Sequence, residues 1–176
     1  VMQVDDPARV YLAQTPYPDE KGIRIREMLS TYDAIAGINA SGFADPGGEG
    51  NGGQVIGLSC TDGKLWGYYV KEFASIVLTE DNRLVVGNIP DWDAYNIRSG
   101  MQFGPVLIAD GEIKMTGSAG YGLQPRTAIG QREDGVIIFA IIDGRNPTWS
   151  LGCTVGDLAQ IMADYGAVNA GCCDGG

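Results

Sequence analysis

The chain has 176 residues, 44% hydrophobic and 19% charged, the balance of one globular domain and not of a disordered tract. Twelve Lys and Arg against twenty-two Asp and Glu give a net charge of −10, a field that repels phosphate backbones and argues against nucleic acid as a partner. The absence of histidine removes every Ser-His-Asp triad, Cys-His dyad and His-ligated zinc site.

In chain order, Ala8–Ala13 reads as strand-like, followed by a turn over Pro16–Gly22. Arg24–Asp33 sets Ile25, Met28, Leu29 and Tyr32 at helical spacing and predicts a short amphipathic helix. Ala34–Ala40 reads as a buried strand that breaks into a glycine-rich loop, Ser41–Gly53. Short apolar runs at Val55–Ser59, Leu65–Val70, Ser75–Thr79 and Leu84–Val86, separated by Asp62-Gly63 and Glu80-Asp81-Asn82, have the rhythm of antiparallel hairpins. Phe103–Ala109 and Glu112–Met115 flank Asp110-Gly111, a strong hairpin signal. Thr127–Gln131 and Val136–Ile142 form another hairpin. Thr154–Tyr165 predicts a helix, capped by Thr154 or Gly156 and stopped by Gly166. Val168–Cys173 closes as a buried strand before Asp174-Gly175-Gly176.

The expectation is one α+β domain over residues 1–176, with a strand-rich mixed or antiparallel sheet core and a few short helices. The longest apolar run, Val136 to Ile142, falls far short of the ~20 residues that span a bilayer, so no membrane insertion is expected. Val1 is followed by no charged n-region and apolar h-region, which implies that any secretion signal is removed or absent. Cys60, Cys153, Cys172 and Cys173 leave disulfides and free thiols equally open. Neighbouring Cβ atoms point apart, so Cys172 and Cys173 are not expected to bond to each other.

Gly48–Gly53 matches the GxGxxG spacing, but the segment after it is strand-like, whereas a dinucleotide site needs a helix there. Asn39-Ala40-Ser41 fits the N-glycosylation sequon, although an Asn at a strand end is more simply a turn cap. Three strands end alike. Ile38-Asn39-Ala40-Ser41-Gly42-Phe43 delivers small polar residues, Ile141-Ile142-Asp143-Gly144-Arg145 a carboxylate and a guanidinium, and Cys172-Cys173-Asp174-Gly175-Gly176 a second carboxylate. Such ends converging on one cleft, with glycines that let a ligand approach the backbone, make a candidate site that Arg126 would join. Trp66, Trp92 and Trp149 either pack in the core or stack on sugars.

These segments resemble the phosphodiester glycosidase family. The matching motifs occur in order: AGINASGF at Ala36–Phe43, FGPVLIADGE at Phe103–Glu112, PRTAIGQ at Pro125–Gln131, IIDGR at Ile141–Arg145, GCTVGDLAQIMADYGAVNA at Gly152–Ala170, and DGG at Asp174–Gly176. Two features depart from the family: Cys172-Cys173 stand where Asn-Leu is common, and the Ser/Thr residues that follow the double glycine are missing. The second leaves a fragment, a processed form or a domain cut short at Gly176 as the readings.

The resemblance implies an enzyme that cleaves the bond between a sugar's anomeric carbon and a phosphodiester, on an extracellular or cell-surface glycan or phosphosugar. A phosphodiester is a better leaving group than an alkoxide, so little general-acid help is needed and a histidine-free chain suffices. Arg126 and Arg145 are expected to hold the phosphate. Asp143 and Asp174 are expected to serve the anomeric centre, making Asp143, Asp174 and Arg126 the catalytic set. Asn39, Gly42, Phe43, Arg145, Gly175 and Gly176 are expected to bind substrate. No protein-held metal is read from the spacing, with Ca2+ near Asp174 as the one option. The alternative is a non-catalytic carbohydrate-binding or surface-structural module on the same fold; a third reading, a surface assembly held by intermolecular disulfides, is also open.

Overall fold

The computed structural model describes residues 1–175. It contains strands β1 (Met2–Val4), β2 (Leu58–Thr61), β3 (Lys64–Gly67), β4 (Ala74–Thr79), β5 (Leu84–Gly87), β6 (Ile97–Phe103), β7 (Val106–Ala109), β8 (Glu112–Ile113), β9 (Arg126–Arg132), β10 (Ile137–Ile142) and β11 (Ala167–Cys173). Helices α1 (Ile25–Thr31) and α2 (Val155–Asp164) complete the α+β set, with three short 3-10 turns.

The strands form two sheets, ordered β1-β10-β9-β11-β7-β8 and β3-β2-β6-β4-β5. Every pair is antiparallel, which settles the mixed-or-antiparallel expectation.

Side-chain alternation along the six-stranded sheet explains the layering. Ala128, Ile138, Ala140, Ala170 and Cys172 pack with Leu158, Ala159 and Met162 of α2. Ile129, Ile137 and Cys173 point the other way and meet Ile76, Leu78, Leu84 and Met101 of the five-stranded sheet. On the outer face of that second sheet, Cys60, Val77 and Ile97 are covered by Ile89 and Trp92. The order is therefore helix, sheet, sheet, covering loop. Two glycines permit the close approach of layers: a Cβ at Gly130 would lie 2.6 Å from Met162 Cε, and one at Gly171 would lie 2.5 Å from Ile76 Cδ1.

Helix α2 begins as its sequence dictates. Thr154 Oγ1 accepts from the Asp157 N–H (3.0 Å) while the Asp157 carboxylate accepts from the Thr154 N–H (3.0 Å), a complete capping box. Gly166, at φ +86, then takes the left-handed conformation that turns the chain into β11. Among the described residues, no helix is long and apolar enough to cross a membrane.

Several segments differ from expectation. Ala8–Ala13 is not a strand; Asp6 caps a 3-10 turn at Pro7–Arg9, and the missed strand is β1. Ala34–Ala40 is irregular, with Ile35 88% exposed; its Ala34 N–H donates to the Leu29 carbonyl of α1 and its Ala40 carbonyl accepts from the Asp174 N–H, neither of them a ladder bond. Phe103–Ala109 is interrupted at Gly104-Pro105, where β6 ends before β7 begins in the other sheet. All four cysteines are buried free thiols, and Cys172 and Cys173 face opposite layers.

Candidate functional site

Antiparallel pairing gathers the start of β9 with the ends of β10 and β11. Arg126 pairs with Ile142, and Thr127 with Cys173, so Arg126, Asp143 and Asp174 occupy one end of the six-stranded sheet. The Asp174 N–H donates to the Ala40 carbonyl at 2.8 Å, which moors the Asn39–Ser41 stretch beside the end of β11.

Three glycines explain how these ends come so close. Each packs against the Gln124–Arg126 backbone, where a Cβ would collide. At Gly144 it would lie 2.5 Å from Pro125 N and 2.8 Å from Pro125 Cδ; at Gly175, 3.1 Å from Arg126 Cα and well inside contact with the Pro125 oxygen; at Gly152 it would overlap Gln124 O. The residues before and after these glycines are thereby held against one short segment.

The Arg126 guanidinium is tied to main-chain carbonyls, donating from Nε to Cys153 (3.3 Å) and from Nη2 to Gly122 (3.0 Å) and Tyr121 (3.4 Å). It lies 6.0 Å from the centre of the Tyr121 ring. Arg145, with φ +57, donates from Nε to Gln124 Oε1 at 3.0 Å. The ion pairs among the described residues are Arg83–Asp81, Lys114–Glu112 and Arg132–Asp134. Among the described residues neither Arg126 nor Arg145 is paired with a carboxylate, which leaves both charges able to meet an anion.

The two aspartates differ. Asp143 Oδ2 accepts from the Trp149 indole N–H at 3.1 Å, and its carbonyl accepts from Ser150 Oγ at 2.6 Å. The Asp174 carboxylate takes no hydrogen bond or ion pair among the described residues.

The thiols beside them are inert. Burial pushes Cys172 up to about 11 from its ordinary value of 9.0, with Arg126 pulling weakly the other way. Burial raises Cys173 well above that value and Cys153 as well. All three are protonated at neutral pH, so no thiolate nucleophile is present.

Asn39, Gly42 and Phe43 stand apart. They line a cavity of about 710 Å³ walled by the glycine-rich loop and lined also by Trp66 and Tyr68. None of Arg126, Asp143, Arg145 and Asp174 lines it. A second cavity of about 710 Å³, largely apolar, lies beneath α1 and also reaches Asn39, Ala40 and Cys173. The predicted residues thus fall into a strand-end cluster and a loop-walled cavity, joined through the Asp174–Ala40 hydrogen bond. Gly175 belongs to the cluster, and Gly176 lies outside the described residues. Asn39 is not at a strand end, since its segment is irregular. Of the tryptophans, Trp92 is core, donating to Ser75 Oγ at 2.9 Å, whereas Trp149 is 78% exposed.

The sequence reading missed Gln124 and Tyr121, which orient the two arginines. Gln124 meets Arg145 across 21 residues, and Tyr121, five residues from Arg126, acts through its carbonyl in an irregular turn, so neither relation leaves a residue-type pattern. Among the described residues, no three His, Cys, Asp or Glu side chains gather around a point that would hold a metal ion.

The phosphodiester glycosidase family model matches residues 32–176. An uncharacterized protein derived from the SPbeta prophage of Bacillus subtilis is 32% identical over 167 residues, covering 86% of this chain and 24% of its own length. Among solved structures, the catalytic domain of zebrafish N-acetylglucosamine-1-phosphodiester alpha-N-acetylglucosaminidase, auto-inhibited by its pro-peptide, is similar at a TM-score of 0.59 and 23% identity, covering 78% of this chain and 50% of that one. A hypothetical protein from Synechocystis is similar at a TM-score of 0.70 and 16% identity, covering 92% and 49%. The chain spans about a quarter of the curated relative and about half of each solved structure. The chain belongs to the phosphodiester glycosidase family.

Proposed function

From that membership we propose that the chain hydrolyses the bond between a sugar's anomeric carbon and a phosphodiester. The observation that carries the reading is the pairing, at one sheet end, of two arginines without carboxylate partners and an aspartate carboxylate without a partner among the described residues.

In this reading Arg145, whose terminal nitrogens make no other hydrogen bond among the described residues, receives the phosphodiester bidentately, and Arg126, whose Nε and Nη2 are held by main-chain carbonyls, adds its charge and its Nη1 donor. Departure of the phosphodiester leaves an oxocarbenium-like centre at the anomeric carbon. Asp174 faces that charge, either stabilising it or activating the water that replaces the leaving group. Asp143 contributes the second carboxylate. The backbone at Gly175 borders the sugar, and Asn39, Gly42 and Phe43, which line the separate loop-walled cavity, take a more distant part of a glycan substrate. The acidic net charge does not oppose an anionic substrate, because two local arginines dominate within a Debye length of ~8 Å.

The substrate class fitting this reading is a phosphosugar or a glycan with sugar-1-phosphate links, met outside the cell or at its surface. The test is release of free sugar from a synthetic N-acetylglucosamine-1-phosphodiester, with and without Ca2+. Arg126→Ala and Asp174→Asn are each expected to abolish release, and full activity in both variants refutes the assignment.

A second reading, a binding module on the same fold, is favoured by the solvent-facing Trp149 ring. It predicts a melting temperature raised by glycan with no sugar released.

A further inference from the structure

Trp149 is the outlier of this surface. A tryptophan ordinarily buries most of its area, yet this one is 78% exposed on a segment that is not loose. The turn from Asp143 to Leu151 is cross-braced at every step. Ser150 Oγ donates to the Asp143 carbonyl at 2.6 Å. Asn146 and Ser150 exchange two backbone hydrogen bonds at 2.9 Å, and the Trp149 N–H donates to the Asn146 carbonyl at 3.0 Å. The Asn146 side chain accepts from Thr148 N–H and Oγ1 at 3.1 and 2.8 Å. Arg145 anchors the other limb on Gln124. The indole N–H, the ring's one polar atom, is held by Asp143 Oδ2 at 3.1 Å. The ring is therefore fixed in orientation while its surface stays in water.

The groups next to it are complementary in kind. Asp143 Oδ1 accepts no hydrogen bond among the described residues, and the terminal nitrogens of Arg145 donate none. A flat apolar surface bordered by an open acceptor and open donors suits a pyranose ring, which presents C–H groups on one face and hydroxyls at its edge. A hydrophobic protein partner would leave the carboxylate and guanidinium desolvated without partners.

We propose that Trp149 is the stacking platform for a sugar ring of the substrate and that Asp143 acts as its positioning residue, fixing the indole through Oδ2 and accepting a sugar hydroxyl at Oδ1. The proposal rests on the glycosidase reading above for the identity of the ligand as a sugar.

The experiment is calorimetric titration with N-acetylglucosamine-1-phosphate, run beside the release assay. Trp149→Ala is expected to weaken binding about tenfold, and Trp149→Phe, which keeps an aromatic face, to lose much less. Asp143→Ala, which removes both the indole's anchor and the hydroxyl acceptor, is expected to lose at least as much as Trp149→Ala, the double variant to lose no more than Asp143→Ala, and Asp143→Asn, which keeps an acceptor for the indole, to lose less than Asp143→Ala. Melting temperatures of the Trp149 variants should stay near native, since the ring buries little. Unchanged affinity in Trp149→Ala, equal losses in the Phe and Ala variants, losses at 143 and 149 that multiply in full, or a native protein that binds no sugar overturns the proposal. Binding that depends on Trp149 without any sugar release supports the platform and removes the glycosidase reading; release with a Trp149-independent affinity does the reverse.

Discussion

A methyl group added at Gly144 tests whether the strand-end cluster works as one rigid unit. The new Cβ would lie 2.5 Å from Pro125 N, 2.8 Å from Pro125 Cδ and 2.9 Å from Pro125 Cα. Ordinary contact begins near ~3.4 Å, so either the Asp143–Arg145 turn or the Pro125–Arg126 segment must retreat by close to ~1 Å, and none of the three contact atoms lies on a flexible side chain. Overpacking of this kind costs about 2 kcal/mol, or about 4–8 °C in Tm for a domain of this length. The larger effect is on turnover, because misplacing a reacting group by ~1 Å lowers rate by about 100-fold. Gly171→Ala is the control. Its Cβ meets Ile76 Cδ1 and Cγ1 at 2.5 and 2.6 Å, a collision between the two sheets rather than at the cluster, and a milder one because it falls on the outer atoms of a side chain. Sugar release per folded molecule, with folded fraction taken from urea titration, separates the two. Gly144→Ala is expected to lose turnover out of proportion to stability, and Gly171→Ala to lose stability alone. Gly144→Ala turnover within threefold of native would refute the reasoning, as would an equal turnover loss in Gly171→Ala.

Two further outcomes concern the scaffold. Because burial raises the Cys172 thiol to about 11, the folded state holds its proton where the unfolded chain releases it, so the stabilisation is fully present below pH 9.0 and is lost as pH rises toward about 11. That loss is about 2–3 kcal/mol for this residue; thermal melts should be level up to pH 8.5 and fall steeply above it, less so in Cys172→Ala, and a flat profile to pH 11 contradicts it. Thr154→Ala deletes one half of the α2 capping box and should lower stability by about 1 kcal/mol, or about 2–4 °C; an unchanged Tm by calorimetry would mean that water replaces the cap without cost.

Much of the fold is legible in the sequence because it is written in local chemistry. Thr154 and Gly166 bound α2 through a cap and a left-handed stop, and Asp110-Gly111 places the turn between β7 and β8. What escapes local reading is the strand whose buried positions are polar. β6, central in its sheet, carries Ser99 and Gln102 inward. Gln102 is tolerated there because its amide accepts from the Leu58 and Val70 N–H groups and donates to the Val70 carbonyl, partners 32 and 44 residues away. Conversely, the apolar run at Ala34–Ala40 has strand composition but no strand partner. In the site, Arg126, Asp143 and Asp174 could be picked out as strand ends flanked by glycine, whereas the separation of Gly42 and Phe43 from them arises from the path of a loop that composition does not encode.

The place of β11 in its sheet also bears on how the chain assembles. Strands β1, β10 and β9 form one block and β7 with β8 another, and β11 lies between β9 and β7 as the strand that joins them. A chain emerging from the ribosome can zip the β9–β10 hairpin early, but the blocks stay unjoined, with the inner edges of β9 and β7 bare, until residues 167–173 have been made. Joining them closes loops of widely differing length at once, the slow kind of step in sheet proteins. Because Asp174 directly follows that strand, the candidate chemistry and the final closure of the sheet arrive together in a single event.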